Sequence, residues 1–171
     1  EAFPESDIYL LHYRGYGGSA GSPTEAGLFE DALALYDRIH PNHPNISIIG
    51  RSLGSGVAVY LASQRPTERL VLVTPFDSLT DAASAHFPFL PVRLLLRDKY
   101  ESWRYAPNVS APTTILEAEL DEVIPRASTE QLKSRFKRVA LVRVPGATHN
   151  SIAEHPSYTN LLRSQPVPPS P

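Results

Sequence analysis

Gly50-Arg51-Ser52-Leu53-Gly54 stands directly after Ile46-Ser47-Ile48-Ile49 and directly before Ser55-Gly56-Val57-Ala58-Val59-Tyr60, and its reading decides the fold of this chain. The apolar run on the left predicts a buried strand, and the small residues on the right predict a helix packed close to it. Between them sits a serine at the apex of a sharp turn. Such a turn holds the apical residue in a conformation that side chains normally avoid, and flanking glycines let strand and helix approach without Cβ clashes. A strand, a tight Gly-x-Ser-x-Gly turn and a helix together form a nucleophile elbow. The five-residue pattern is weak by itself; its context gives it weight.

Outward from the turn, apolar runs alternate with helical patterns. Ile8-Tyr9-Leu10-Leu11-His12-Tyr13 predicts a buried strand, closed by the glycine-rich Arg14 to Gly21. Ser22-Pro23-Thr24-Glu25 has the S-x-x-E form of a capping box with proline at the first helical position. Leu28, Ala32, Leu35, Tyr36 and Ile39 then follow at helical spacing up to His40-Pro41. Ile46 to Ile49 predicts the second strand, and the helix after the serine runs to about Arg65-Pro66. Leu70 to Val73, Thr113 to Ala118 and Ala140 to Val144 predict three more strands, with helices near Ser128 to Lys137 and Ser151 to Leu162. Leu70-Val71-Leu72-Val73 carries no polar residue, as expected of a strand covered by helices on both faces of a parallel sheet. The fold class is therefore α/β, with a mostly parallel sheet.

Two segments break the alternation. Pro75 to Pro112 is long and proline-punctuated, and its apolar patch Phe87-Pro88-Phe89-Leu90-Pro91-Val92 leads into a leucine-rich helix at Arg93 to Arg97. It reads as an insertion, at about 75–112, arching over the strand ends where such sheets carry their sites. Gln165 to Pro171 is proline-rich and predicts a disordered or polyproline-like tail, which leaves 1–164 as one domain.

Bulk composition narrows the function classes. A chain of 171 residues is one domain by length, with 16 basic against 18 acidic residues and a net charge of −2. No basic run can neutralise a string of phosphates, so nucleic acid is not an expected partner. Cysteine is absent, which excludes disulfides, thiol nucleophiles and thiolate metal sites. No stretch approaches the roughly 20 apolar residues of a spanning helix, and Glu1-Ala2-Phe3-Pro4-Glu5 is not a signal peptide, so the visible chain reads as soluble. The chain contains no methionine, not even an initiating one, which points to an upstream portion.

A serine hydroxyl needs a histidine to take its proton and a carboxylate to orient that imidazole. In the strand-turn-helix context these partners follow in the order serine, acid, histidine. Asp121 stands in the turn after the fourth predicted strand, within Glu117-Ala118-Glu119-Leu120-Asp121-Glu122-Val123-Ile124-Pro125. His149 stands after the fifth, within Val144-Pro145-Gly146-Ala147-Thr148-His149-Asn150. Glu119, Glu122 and Asp77 compete for the role of acid, with Asp77, after the third predicted strand, as the reserve. His155, His12 and His86 compete for that of base; His12, inside the first predicted strand, reads rather as a hydrogen-bonded core histidine.

These motifs resemble the α/β-hydrolase superfamily, specifically the abhydrolase-domain serine hydrolases that include acyl-protein thioesterases. The resemblance is carried by Tyr13-Arg14-Gly15-Tyr16-Gly17 with Ser19, Gly21 and Pro23-Thr24-Glu25, and by Gly50-Arg51-Ser52-Leu53-Gly54. It continues through Pro75-Phe76 with Ser78, Phe89-Leu90-Pro91-Val92, Asp121-Glu122-Val123-Ile124-Pro125 and Gly146-Ala147-Thr148-His149-Asn150. It covers nearly everything from Ile8 to about Leu162. It implies Ser52 as nucleophile, Asp121 as acid, His149 as base and the Leu53 N–H as one oxyanion donor, with no metal or organic cofactor. The chain departs from the family where Glu117-Ala118 replaces a common His-Gly pair.

Against the family's eight strands, the five predicted here resemble the fourth to the eighth. Two expectations follow: a gap in the sheet beside the strand that leads to Ser52, and loss of the second oxyanion donor, which the loop after the third strand supplies. The sequence is thus expected to be the carboxyl-terminal part of a longer hydrolase, poorly folded and weakly active alone. The expected substrate is a small or acyl-chain ester or thioester. Phe76, Phe87, Phe89 and Leu90 are candidate substrate-binding residues, although the insertion's apolar residues, with Leu94 and Leu95, are equally read as packing it onto the body. A carboxylesterase or lipase-like role and a depalmitoylase-like thioesterase role are not separated by these residues. A non-catalytic hydrolase-like binding domain and an inactive fragment are the competing readings. Membrane association is an expectation only through an amino-terminal anchor of the kind similar proteins carry.

Overall fold

A computed structural model describes residues 3–87 and 89–164. The expected tail at 165–171 lies outside the described residues. Helix α1, Glu25–Ile39, precedes strand β1, Ser47–Arg51; helix α2, Leu53–Gln64, leads to β2, Arg69–Val73. Three short helices follow, α3 (Leu79–His86), α4 (Val92–Leu95) and α5 (Ser102–Tyr105), before β3, Thr113–Leu120. Helix α6, Arg126–Lys133, joins it to β4, Val139–Thr148, and α7, Tyr158–Arg163, closes the domain. The strands form one parallel sheet in the order β1-β2-β3-β4.

The period-2 geometry of β2 explains why its apolar run is uninterrupted. Leu70 and Leu72 pack with Val59 and Ala62 of α2, Ile115 of β3 and Leu132 of α6. Val71 and Val73 point the other way and pack with Leu116, Val144, Ile152 and Leu162. Successive side chains on a strand face opposite sides, so each half of the run serves one layer. A third cluster joins Leu28 and Phe29 of α1, Val57 of α2, Phe76, Tyr100 and Ile124. It ties the insertion and the loop after β3 to the body beside the turn at Ser52.

Several sequence expectations are corrected. Ile8–Tyr13 forms no regular secondary structure and joins no ladder, and Ile8, Tyr9 and Leu10 are 60, 47 and 80% exposed. A strand exists only with a partner for its backbone groups, and β-leaning composition does not supply one. His12 is accordingly exposed rather than a core histidine. With no strand before it among the described residues, β1 is the edge of the sheet, and Ile49 there is 43% exposed.

The cap of α1 is Thr24, whose side chain accepts from Gly27 N–H, rather than Ser22. Its first N–H finds a non-local partner: Glu25 N–H donates to Asp98 Oδ1 at 2.8 Å, and Lys99 N–H donates back to Glu25 Oε2 at 2.8 Å. The leucine-rich helix shrinks to the single turn α4. The expected helix at 151–162 divides into a 3₁₀ turn, Ser151–Glu154, and α7, with Pro156 between them.

Candidate active site

Ser52 lies between β1 and α2 with φ 49° and ψ −121°, the left-handed half of backbone space that a side chain seldom occupies. Three contacts hold it there. Its own N–H donates to Val73 O at 3.0 Å, and its carbonyl accepts from Ser55 N–H at 2.8 Å and from Ser55 Oγ at 2.6 Å. Gly50 is required by space: a Cβ there would stand 2.5 Å from Gly54 O and 2.6 Å from Ala58 Cβ. Ser52 is the cap residue of α2 by position, yet its hydroxyl caps nothing. That hydroxyl is directed elsewhere.

His149 Nε2 stands 3.0 Å from Ser52 Oγ, and His149 Nδ1 stands 3.1 and 3.0 Å from the two oxygens of Asp121. The three residues come from the carboxyl ends of β1, β3 and β4, brought to one rim by the parallel sheet. An imidazole that donates Nδ1–H to the carboxylate leaves Nε2 free to accept the serine proton, and this network assigns that tautomer. Burial pushes the Asp121 carboxyl up, but the hydrogen bond from His149 and those from Ile124 and Val123 N–H outweigh it, so it sits below the ordinary carboxylate range. It is a charged acceptor at neutral pH. The Leu53 N–H is the first in α2 and so has no acceptor within its own helix.

The competing residues have other partners. Glu119 Oε2 accepts from Gly146 N–H at 2.8 Å, and Glu122 Oε2 lies 3.5 Å from His149 N, so both carboxylates serve the backbone of the histidine loop. Asp77 is buried against Ser128. Glu117, in the stretch that departs from the family, pairs across the sheet with Arg143 at 2.6 Å. His86 Nε2 lies 2.6 Å from Val123 O, and His155 meets Ser157 at 2.8 Å. Among the described residues no group of three or more His, Asp or Glu is arranged to hold a metal ion.

The candidate substrate wall is distributed differently from the expectation. Phe76 is 1% exposed within the core, whereas Phe87, Phe89 and Leu90 are 57, 98 and 55% exposed. These three side chains of the apolar patch face solvent, while Val92 at its end is buried. One contributor went unread in the sequence: Arg51 donates to the carbonyls of His149 at 3.0 Å and Asn150 at 3.1 Å. Its place beside Ser52 was the only available signal.

Comparison with known proteins fits this architecture. No family model matches the chain. An uncharacterized protein of Mycobacterium tuberculosis is 40% identical over 148 residues, covering 84% of this chain and 53% of that one. The α/β hydrolase domain-containing protein aho-3 of Caenorhabditis elegans is 31% identical over 163 residues, covering 92% of this chain and 48% of the relative. The chain belongs to the α/β-hydrolase family. The lysophosphatidylserine lipase ABHD12 of Macaca fascicularis is 30% identical over 187 residues, covering 91% and 47%. The chain thus spans about half the length of the curated relatives it matches. Among solved structures, a hydrolase from Pseudomonas aeruginosa superposes with a TM-score of 0.66 at 23% identity, covering 88% of this chain and 76% of that one, a likeness of fold. No helix among the described residues is long and apolar enough to cross a membrane.

Proposed function

We propose that this α/β-hydrolase chain carries the reacting centre of a serine hydrolase that cleaves carboxylic ester or thioester bonds. The observation that carries the reading is the unbroken relay from Ser52 Oγ to His149 Nε2, 3.0 Å apart, and from His149 Nδ1 to Asp121, 3.0 Å apart.

In this mechanism Ser52 Oγ attacks the substrate carbonyl while its proton passes to His149 Nε2. Asp121, charged and held by two backbone amides, stabilises the imidazolium that forms. The carbonyl oxygen becomes an oxyanion facing the Leu53 N–H at the start of α2. Collapse expels the alcohol or thiol, which takes the proton from His149, and leaves an acyl group on Ser52. Water then repeats the sequence and releases the acid. The chemistry needs neither metal nor organic cofactor.

The names of relatives support the substrate class. One is a lysophosphatidylserine lipase, and two solved neighbours of the same fold are a monoacylglycerol lipase of Paleococcus ferrophilus and an enol-lactonase of Burkholderia xenovorans. All three names refer to carboxylic esters.

A fluorophosphonate probe tests the proposal, because it traps an activated serine irrespective of acyl specificity. Labelling of the purified protein that Ser52→Ala abolishes is the expected result. No label, or equal label on Ser52→Ala, leaves the non-catalytic binding domain or the inactive fragment as the better reading. Parallel assays with an oxyester and the matching thioester then separate the carboxylesterase role from the depalmitoylase-like one.

A further inference from the structure

Asp77 takes no part in that chemistry, yet it is 1% exposed and its carboxyl is built into the fold. Its Oδ1 accepts from the Ser128 hydroxyl at 2.6 Å and from Ser78 N–H at 2.8 Å. Its own N–H donates back to Ser128 Oγ at 3.0 Å. Next to this reciprocal pair, the Thr129 hydroxyl donates to Pro75 O at 3.0 Å. The loop after β2 is thereby joined to the first turn of α6 by three side-chain bonds.

That turn continues directly from the loop that carries Asp121. Pro125 accepts from Ser128 N–H, Asp121 Oδ1 accepts from Val123 and Ile124 N–H, and Ile124 packs in one cluster with Phe76, the neighbour of Asp77. Displacing the first turn of α6 must therefore displace the carboxylate that orients His149. A polar connection here is costly. Asp77 Oδ2 is buried without a partner among the described residues, and burial raises the carboxyl above the ordinary range against the opposing bonds from Ser128 and Ser78. An apolar pair of similar size would hold the two segments together as firmly. What the carboxyl and hydroxyl add is direction: two reciprocal bonds fix the spacing and the angle of α6 against β2.

We propose that the Asp77–Ser128 pair is a positioning device that sets the acid loop so that Asp121 meets His149. This inference rests on the reading of Ser52, His149 and Asp121 as the reacting centre. Asp77 itself touches no reacting atom.

The test compares Ser128→Ala and Asp77→Asn with the parent protein, rates being expressed per folded molecule from circular dichroism. Ser128→Ala removes the hydroxyl with little change in volume. It is expected to lower kcat about tenfold with KM within about twofold, since a misplaced acid affects the transition state rather than binding. The low-field proton resonance of His149 Nδ1–H is expected to shift or broaden in the same variant. Asp77→Asn keeps an oxygen that accepts from Ser128 and Ser78, and it is expected to retain kcat within about twofold. A Ser128→Ala protein with parental kcat and an unmoved resonance overturns the proposal, even if it melts earlier, because the pair is then structural only. If the parent takes no phosphonate label, the hydrolase reading fails separately, and the His149 resonance in Ser128→Ala decides the positioning role alone.

Discussion

The guanidinium of Arg51 clasps the backbone of His149: it donates to the His149 carbonyl at 3.0 Å across 98 residues of sequence, and to the Asn150 carbonyl at 3.1 Å. Ser52 is the next residue after Arg51, so a single turn of chain delivers the hydroxyl and pins the loop that carries its imidazole partner. These bonds are charge-assisted but partly exposed, so their loss costs about 1 kcal/mol, or about fivefold in rate. Arg51→Ala is expected to reduce kcat by that factor with KM nearly constant, in steady-state assays on an ester substrate. A fall confined to KM would show instead that Arg51 contacts the substrate.

Gly50 offers a sharper steric test. A methyl group at this position meets backbone, Gly54 O at 2.5 Å, as well as Ala58 Cβ at 2.6 Å, so no flexible side chain can move aside. Gly50→Ala is expected to destabilise the fold by about 3 kcal/mol or more, the upper end of overpacking penalties. Urea denaturation gives the value directly. Phosphonate labelling of the remaining folded protein should fall as well, because α2 and the Ser52 turn move together.

The Asp121 carboxyl is held below its ordinary value, since the bonds from His149, Ile124 and Val123 outweigh burial. Such a group binds fewer protons folded than unfolded, so stability rises with pH between the folded and the unfolded values. The contribution is complete above about 3.9, the unfolded value, and is lost as pH falls through the folded value. Asp121→Asn should therefore be less stable than the parent at pH 6, with the gap narrowing steadily below about pH 4. Urea midpoints across that range measure it. A gap independent of pH would mean that packing, not charge, is what Asp121 contributes.

Asp98 caps α1 from 73 residues away through Glu25 N–H at 2.8 Å. Removing an N-terminal acceptor costs a helix about 1 kcal/mol. Asp98→Ala is expected to lose that amount of stability in chemical denaturation and to leave Ser52 labelling unchanged, because the contact fastens the insertion to α1 rather than to the Ser52 rim. Loss of labelling without loss of stability would place the insertion in the site itself.

The elements that were legible in the sequence are those whose signal is local. The apolar run of β2 and the turn at Ser52 each carry their pattern within a few consecutive residues, and both form where expected. Ile8–Tyr13 has a similar local composition and forms no strand, because pairing depends on a neighbour. The exposure of Phe89 was equally hidden: an apolar residue after a proline reads the same whether it faces a pocket, the core or solvent.

From the order of residues alone came the parallel α/β architecture, the strained serine between β1 and α2, and the order of serine, carboxylate and histidine at the ends of three strands. These follow from periodicity and from the backbone demands of one tight turn. Tertiary structure decided which of four carboxylates meets His149: Asp121 does, while Glu119 and Glu122 turn to the loop backbone and Asp77 to Ser128. It also decided that Arg51 holds the histidine loop. The reason is distance along the chain. Each of these choices is made by hydrogen bonds between residues 27 to 98 positions apart, and no local pattern encodes which distant group will arrive.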